Sequence, residues 1–156
     1  MTRTNSPKSH TGSATTPADS ARLRLIDAVV RPSFERCCAA EPSFFDDFYF
    51  NLSDRLPVVG SMFAHVNMDQ QNRLIRDGIA NLIAFAAGDS RAKGELNRLS
   101  ISHSRNGLGI APDFYPHWVN SLMETVRQHD VEATDETETA WRDVLTDGIA
   151  LMTSGY

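Results

Sequence analysis

Apolar residues recur along this chain at helical spacing, and no segment sustains the alternation of a half-buried strand. From Ala21 the pattern puts Leu25, Ile26, Val29 and Val30 on one side of a helix. Pro32 lacks a backbone N–H, so it either starts a new helix or kinks the first. Pro42–Ser43 opens a second segment, Phe44 to Leu56, which Pro57 stops and in which Phe44, Phe48 and Leu52 share a stripe. A short piece from Pro57 to Phe63 follows. Asn67 has the chemistry of an N-cap for a long helix to about Ala87, with Gly88 as its stop and Leu74, Ile75, Ile79, Leu82, Ile83 and Ala86 as its apolar stripe. The next helix carries Leu96, Leu99 and His103, and a turn through Gly107 and Gly109 ends it. Pro112 suits the first position of a further helix with Tyr115, Trp118, Val119, Leu122 and Val126 on its buried side. Thr134 caps the last helix, where Asp135 and Glu136 complement the positive N-terminal end and Trp141, Val144, Leu145, Ile149 and Met152 face inward. The predicted class is all-α, without internal repeats.

Composition narrows what such a bundle does. The 156 residues fit one domain. Residues 1–18 are rich in Ser, Thr and Pro and have almost nothing to bury, which predicts a disordered tail before a folded domain over 19–156. A net charge of -5 argues against nucleic acid or an anionic membrane surface as partner, because both require clustered Lys and Arg. No apolar run approaches the roughly 20 residues that span a bilayer, and the N-terminus has no hydrophobic signal core, so the expected location is the cytoplasm. Cys37 and Cys38 are the only cysteines, and as neighbours they form no disulfide framework.

His103 is the most informative side chain. Leu96, Leu99 and His103 stand at i, i+3 and i+7, so the imidazole points where the leucines point. A core-facing imidazole needs a partner, and the spacing alone leaves two: a core hydrogen bond or a ligand. The remaining histidines carry less. His10 falls in the tail, His65 follows Phe63 by two residues, and His117 and His129 read as surface residues. No Cys/His cluster has zinc spacing, and no glycine-rich phosphate loop occurs.

The order of several short motifs resembles the bacterial globins, that is, bacterial haemoglobins and the globin domain of flavohaemoglobins, over roughly residues 21–156. Phe48-Tyr49 followed by Pro57 and Phe63 is similar to their helix B and CD corner. Met68-Asp-Gln-Gln71-Asn-Arg-Leu-Ile75 resembles the start of their distal helix E, and His103-Ser-Arg-Asn-Gly107 their proximal histidine with a glycine four residues on. Phe114-Tyr115-Pro116 resembles the helix G Tyr-Pro, and Ala140-Trp141 the helix H Ala-Trp.

The resemblance implies a three-over-three helical sandwich around a haem b pocket, with His103 as the proximal iron ligand and Leu99 one turn before it on the same wall. Neutral imidazole is a standard ligand for haem iron. Phe63 would stack on the porphyrin. Tyr49 and Gln71 would donate hydrogen bonds to bound O2, with Ile75 crowding the ligand from the same face. Tyr115 would lie on the proximal side.

Two departures bear on activity. Flavohaemoglobins hold the proximal imidazole with a helix H glutamate, and the corresponding spacing from Trp141 lands on Tyr156. Without that carboxylate the imidazole donates less strongly, and Tyr115 or Tyr156 is left as its neighbour. The chain is also longer between Gly107 and Tyr115, which shifts Tyr115 relative to a haem. The expected function is reversible binding of O2, and of NO or CO. The alternatives are an NO dioxygenase served by a separate reductase and a gas sensor; a homodimer is left open.

Overall fold

The computed structural model describes residues 14–156. The expectation of a tail over 1–18 therefore falls, for residues 1–13 and His10, outside the described residues, while Pro17 and Ala18 are already helical. Helix α1 runs Pro17–Leu25, ahead of the Ala21 at which the apolar pattern begins. Thr16 explains the early start: its side chain accepts from the Asp19 N–H, Asp19 reciprocates, and Pro17 occupies the first turn.

Pro32 neither breaks the helix nor opens a separate one. A π-helical turn, Ile26–Val30, joins α1 to α2 (Arg31–Cys38), and the Arg31 N–H reaches back to the Ile26 carbonyl. Widening the turn there gives the proline ring room against the preceding carbonyls. Helix α3 (Ser43–Arg55) stops because Leu56 precedes Pro57 and leaves the helical conformation, φ -132°, ψ 88°. Helix α4 (Val58–Phe63) is short. Helix α5 (Met68–Ala86) is capped by Asn67, whose side chain accepts from the Gln70 N–H, and it ends before Gly88, at φ +90°. Asp89 caps α6 (Ser90–His103). Helix α7 is Phe114–His129, and α8, Asp135–Ser154, starts in a capping box of Thr134 and Thr137. Pro112 lies in the turn before α7 rather than at its first position. The Phe114 and Tyr115 N–H groups reach back only three residues, to Ala111 and Pro112, a tighter turn than an α-helix.

No strand occurs among the described residues, and the architecture is the three-over-three sandwich of a globin fold. Helices α1–α2, α5 and α6 lie over α3, α7 and α8; α3 packs along α7, and α5 and α6 both pack on α8. Phe44, Phe48, Ile79, Leu122, Trp141 and Val144 are fully buried at the centre. Trp141 keeps its indole N–H satisfied there by donating to Ser33 Oγ at 2.9 Å. No described helix is long and apolar enough to cross a membrane.

One buried charge ties this core together. Asp130 is 1% exposed, follows α7, and receives the Arg36 guanidinium at 2.6 Å and 3.0 Å. Burial pushes its carboxyl up, but hydrogen bonds from Arg36, Ser33 and the Glu132 N–H outweigh that and hold it below the usual range. A lowered carboxyl stabilises the fold above its unfolded-state pKa of about 3.9, and the contribution disappears as pH falls through the folded value. Asp130→Asn is therefore expected to be less stable than wild type at neutral pH and to lose less stability on acidification, so that chemical denaturation at pH 7 and at about pH 2 to 3, below the unfolded-state pKa, shows the two proteins converging.

Candidate functional site

The site is assembled from α3, α4, α5 and α6. On α6, Leu96 is buried while Leu99 and His103, one and two turns on, are half-buried. His103 is the last residue of the helix, where carbonyls lack intrahelical donors. The following loop supplies them: the Leu108 N–H donates to the Ser102 carbonyl at 2.8 Å, and the Ile110 N–H to the His103 carbonyl at 2.9 Å. Gly107 makes this wrap sterically feasible, since a Cβ there would sit 2.3 Å from the Ser102 carbonyl oxygen. The glycine four residues after His103 thus anchors the end of the helix that presents the imidazole.

The imidazole itself is oriented by its own helix. Its Nδ1 lies 2.8 Å from the Leu99 carbonyl oxygen and 3.1 Å from Ser102 Oγ, and Ser102 Oγ donates its own proton to the same carbonyl at 2.9 Å. A carbonyl only accepts, so Nδ1 carries the proton in neutral His103 and Nε2 keeps its lone pair. No described residue engages Nε2. That is the donor a haem iron requires.

Elsewhere, α3, α4 and α5 bring two further predicted residues, Phe63 and Gln71, onto Tyr49. Tyr49 is 7% exposed, and its ring centroid lies 5.0 Å from that of Phe63 at the end of α4. Gln71 Nε2 donates to the Tyr49 hydroxyl oxygen at 3.0 Å. Burial pushes the phenol up to about 12, against the opposing pull of the Gln71 hydrogen bond, so the hydroxyl keeps its proton at neutral pH. With Gln71 donating to its oxygen and no described residue accepting its hydrogen, Tyr49 retains a free O–H for a further partner. Ile75 is half-buried one turn beyond Gln71.

Leu74 differs from the sequence expectation. It is 58% exposed and leaves the core stripe to line a groove of about 440 Å³ between α5 and α6, together with Gly78 and Leu99. A Cβ at Gly78 would meet no atom within 4 Å, so α5 presents bare backbone to this groove. A glycine inside a strongly patterned helix, where it costs stability relative to alanine, is the sequence signal for it.

Tyr115 sits elsewhere. It lines a second groove, of about 430 Å³, between α7 and α8, and its buried hydroxyl has no hydrogen-bond partner. The hydrogen bond from Tyr115 to the imidazole does not form, and neither does one from Tyr156, whose ring instead receives the Arg105 guanidinium at 4.9 Å. His65 and His117 are exposed. His129 is not a free surface residue: its side chain is 15% exposed, it packs edge-on against Phe44, and its Nε2 lies 2.7 Å from Asp47 Oδ2. Cys37 is buried and its thiol pushed up to about 12, mainly by burial, which removes thiolate reactivity at neutral pH.

The model of the Globin family matches residues 47–151, a span that contains Tyr49, Phe63, Gln71 and His103. The chain belongs to the globin family. A crystal structure of the Pseudomonas aeruginosa PAO1 protein PA3967, described as structurally highly homologous to a human hemoglobin, is 42% identical to this globin. The alignment covers 85% of this chain and 98% of that one, with a TM-score of 0.77. No curated protein matches the chain. Globins bind haem, and this globin's Nε2, which no described residue engages, together with Leu74, Leu99 and the bare backbone at Gly78 lining the α5–α6 groove, fits a flat apolar cofactor with one imidazole-ligated metal.

Proposed function

We propose that this globin binds O2 reversibly, and NO and CO at the same position, using haem b held by His103. The observation that carries the reading is the Leu99 carbonyl on Nδ1 of His103, which directs the Nε2 lone pair outward. Haem, when bound, supplies an iron with one position for that nitrogen and one for a diatomic gas. Phe63, Ile75 and Leu99 would exclude water from the cofactor, and Tyr49 and Gln71 would present donors to the gas.

The group behind His103 favours binding over turnover. A carboxylate at Nδ1 would make the imidazole strongly donating; Leu99 offers a neutral carbonyl shared with Ser102. The proposed location is the cytoplasm, as expected from the N-terminal sequence.

The test is spectroscopic. Full-length protein loaded with haem and reduced is expected to show a five-coordinate spectrum that shifts with O2 and returns on deoxygenation over repeated cycles. Exposure of the O2-loaded form to NO is expected to give a single stoichiometric burst of nitrate. Failure to take up haem overturns the reading. Sustained nitrate production with an added flavin reductase would instead make the protein a dioxygenase.

A further inference from the structure

The distal pair stands on the less anchored half of α5. The helix's buried apolar residues, Ile79, Leu82 and Ile83, all lie in its C-terminal half. In the N-terminal half the one buried residue is polar: Asn72, 8% exposed, directly after Gln71. Its Nδ2 donates to Asp46 Oδ1 at 3.0 Å, and its own Oδ1 has no partner. Asp46 as a carboxylate only accepts, which fixes the orientation of the amide. Asp46 precedes Tyr49 by three residues on α3, so the two side chains project toward the same side of that helix.

Three contacts therefore climb the α3–α5 crossing in register: Tyr49 with Gln71, Asp46 with Asn72, and Glu41, just before α3, with Arg76. They are not equivalent. The Glu41–Arg76 pair, at 3.2 Å, is solvent-exposed and screened. The Tyr49–Gln71 bond joins two uncharged groups, one of them on a long flexible side chain. The Asp46–Asn72 bond has an exposed carboxylate as its acceptor, but its donor is the only buried side chain of that half-helix, so it is the contact of the three that is fixed from inside the crossing.

We propose that the Asp46–Asn72 hydrogen bond is the positioning contact of the distal site, fixing the register of α5 against α3 and thereby holding Gln71 on the Tyr49 hydroxyl. The consequence for gas binding rests on the function proposed above; the positioning itself does not. Asp46 and Asn72 act through Tyr49 and Gln71.

The test uses full-length Asp46→Ala, Asn72→Leu and Asp46→Asn proteins. In each, nuclear magnetic resonance reads the Gln71 side-chain amide protons and the carbon-labelled Tyr49 ring, with and without haem. In the ferrous CO complex, infrared spectroscopy reads the C–O stretch, which responds to donors beside the ligand. Asp46→Ala and Asn72→Leu are expected to lose the Tyr49–Gln71 signature, to shift the C–O band upward and to release O2 about fivefold faster, the effect of weakening one hydrogen bond. Asp46→Asn keeps an acceptor oxygen and is expected to restore all three. Retention of the Tyr49–Gln71 signature in both disrupting variants overturns the proposal. Loss of the signature with an unmoved C–O band upholds the positioning role and instead removes Tyr49 and Gln71 from contact with the gas.

Discussion

His103→Ala is expected to abolish stable haem binding. Wild-type protein loaded with haem should keep its Soret band through gel filtration, whereas the variant should lose it. The magnitude follows from the ligand's place in the site. Altering only the groups behind a metal-bound histidine costs about 10- to 100-fold in metal affinity, so removal of the ligand is expected to cost at least about 100-fold. The fold should survive, because His103 is half-buried at the last position of α6 and its hydrogen bonds are to its own helix and the adjacent Ser102. The haem-free variant is expected to unfold within about 1 kcal/mol of haem-free wild type. Imidazole added to the variant should restore part of the Soret band by filling the vacated position. A variant that retains haem as tightly as wild type would remove His103 from the site.

Tyr49→Phe is expected to accelerate O2 release by roughly 10- to 100-fold, because a hydrogen bond to a group carrying negative charge is worth about 1.5–3 kcal/mol. Stopped-flow displacement of O2 by CO measures it. The phenylalanine ring can keep the packing against Phe48 and Phe63, whose centroids lie 5.2 Å and 5.0 Å from that of Tyr49. Gln71 is half-buried and can turn its amide to water, so little stability is at stake. With the Tyr49 phenol pushed up to about 12, the hydroxyl stays protonated across the neutral range. Its contribution to the wild-type release rate should accordingly be flat with pH between about 6 and 9. An unchanged release rate in Tyr49→Phe would place the gas out of reach of α3.

Much of this site is legible in the sequence because its parts are local. Asn67, Gly88, Thr134 and Pro57 mark helix ends through side-chain or backbone effects confined to one turn, and the structure places those ends where they predict. Two of the differences are local features that the apolar pattern does not report: the Thr16–Asp19 capping box starts α1 early, and the π-turn absorbs Pro32. His129 differs through distant contacts, since Asp47 and Phe44 claim it. Leu74 fits the apolar periodicity of α5 but faces the groove, since periodicity identifies an apolar face without saying whether protein or a ligand covers it. Tyr115 cannot be placed from spacing, because helical periodicity gives it a buried face without saying which neighbouring helix covers that face, here α8.

The sequence by itself determined that the chain is all helical, where most helices end, and which histidine shares a face with the core leucines. Those properties arise from torsional preference, capping and the helical repeat, all of which act within a few residues. The His103 tautomer is likewise local, since the carbonyl that selects it belongs to Leu99, one turn back on the same helix, and the loop after α6 holds that helix end by taking up the Ser102 and His103 carbonyls. The tertiary structure alone decided what Tyr49 is able to do. The free Tyr49 O–H exists only because α5 brings Gln71, 22 residues away in the chain, to its oxygen. Its donor direction depends on which distant groups meet, and helix packing sets that.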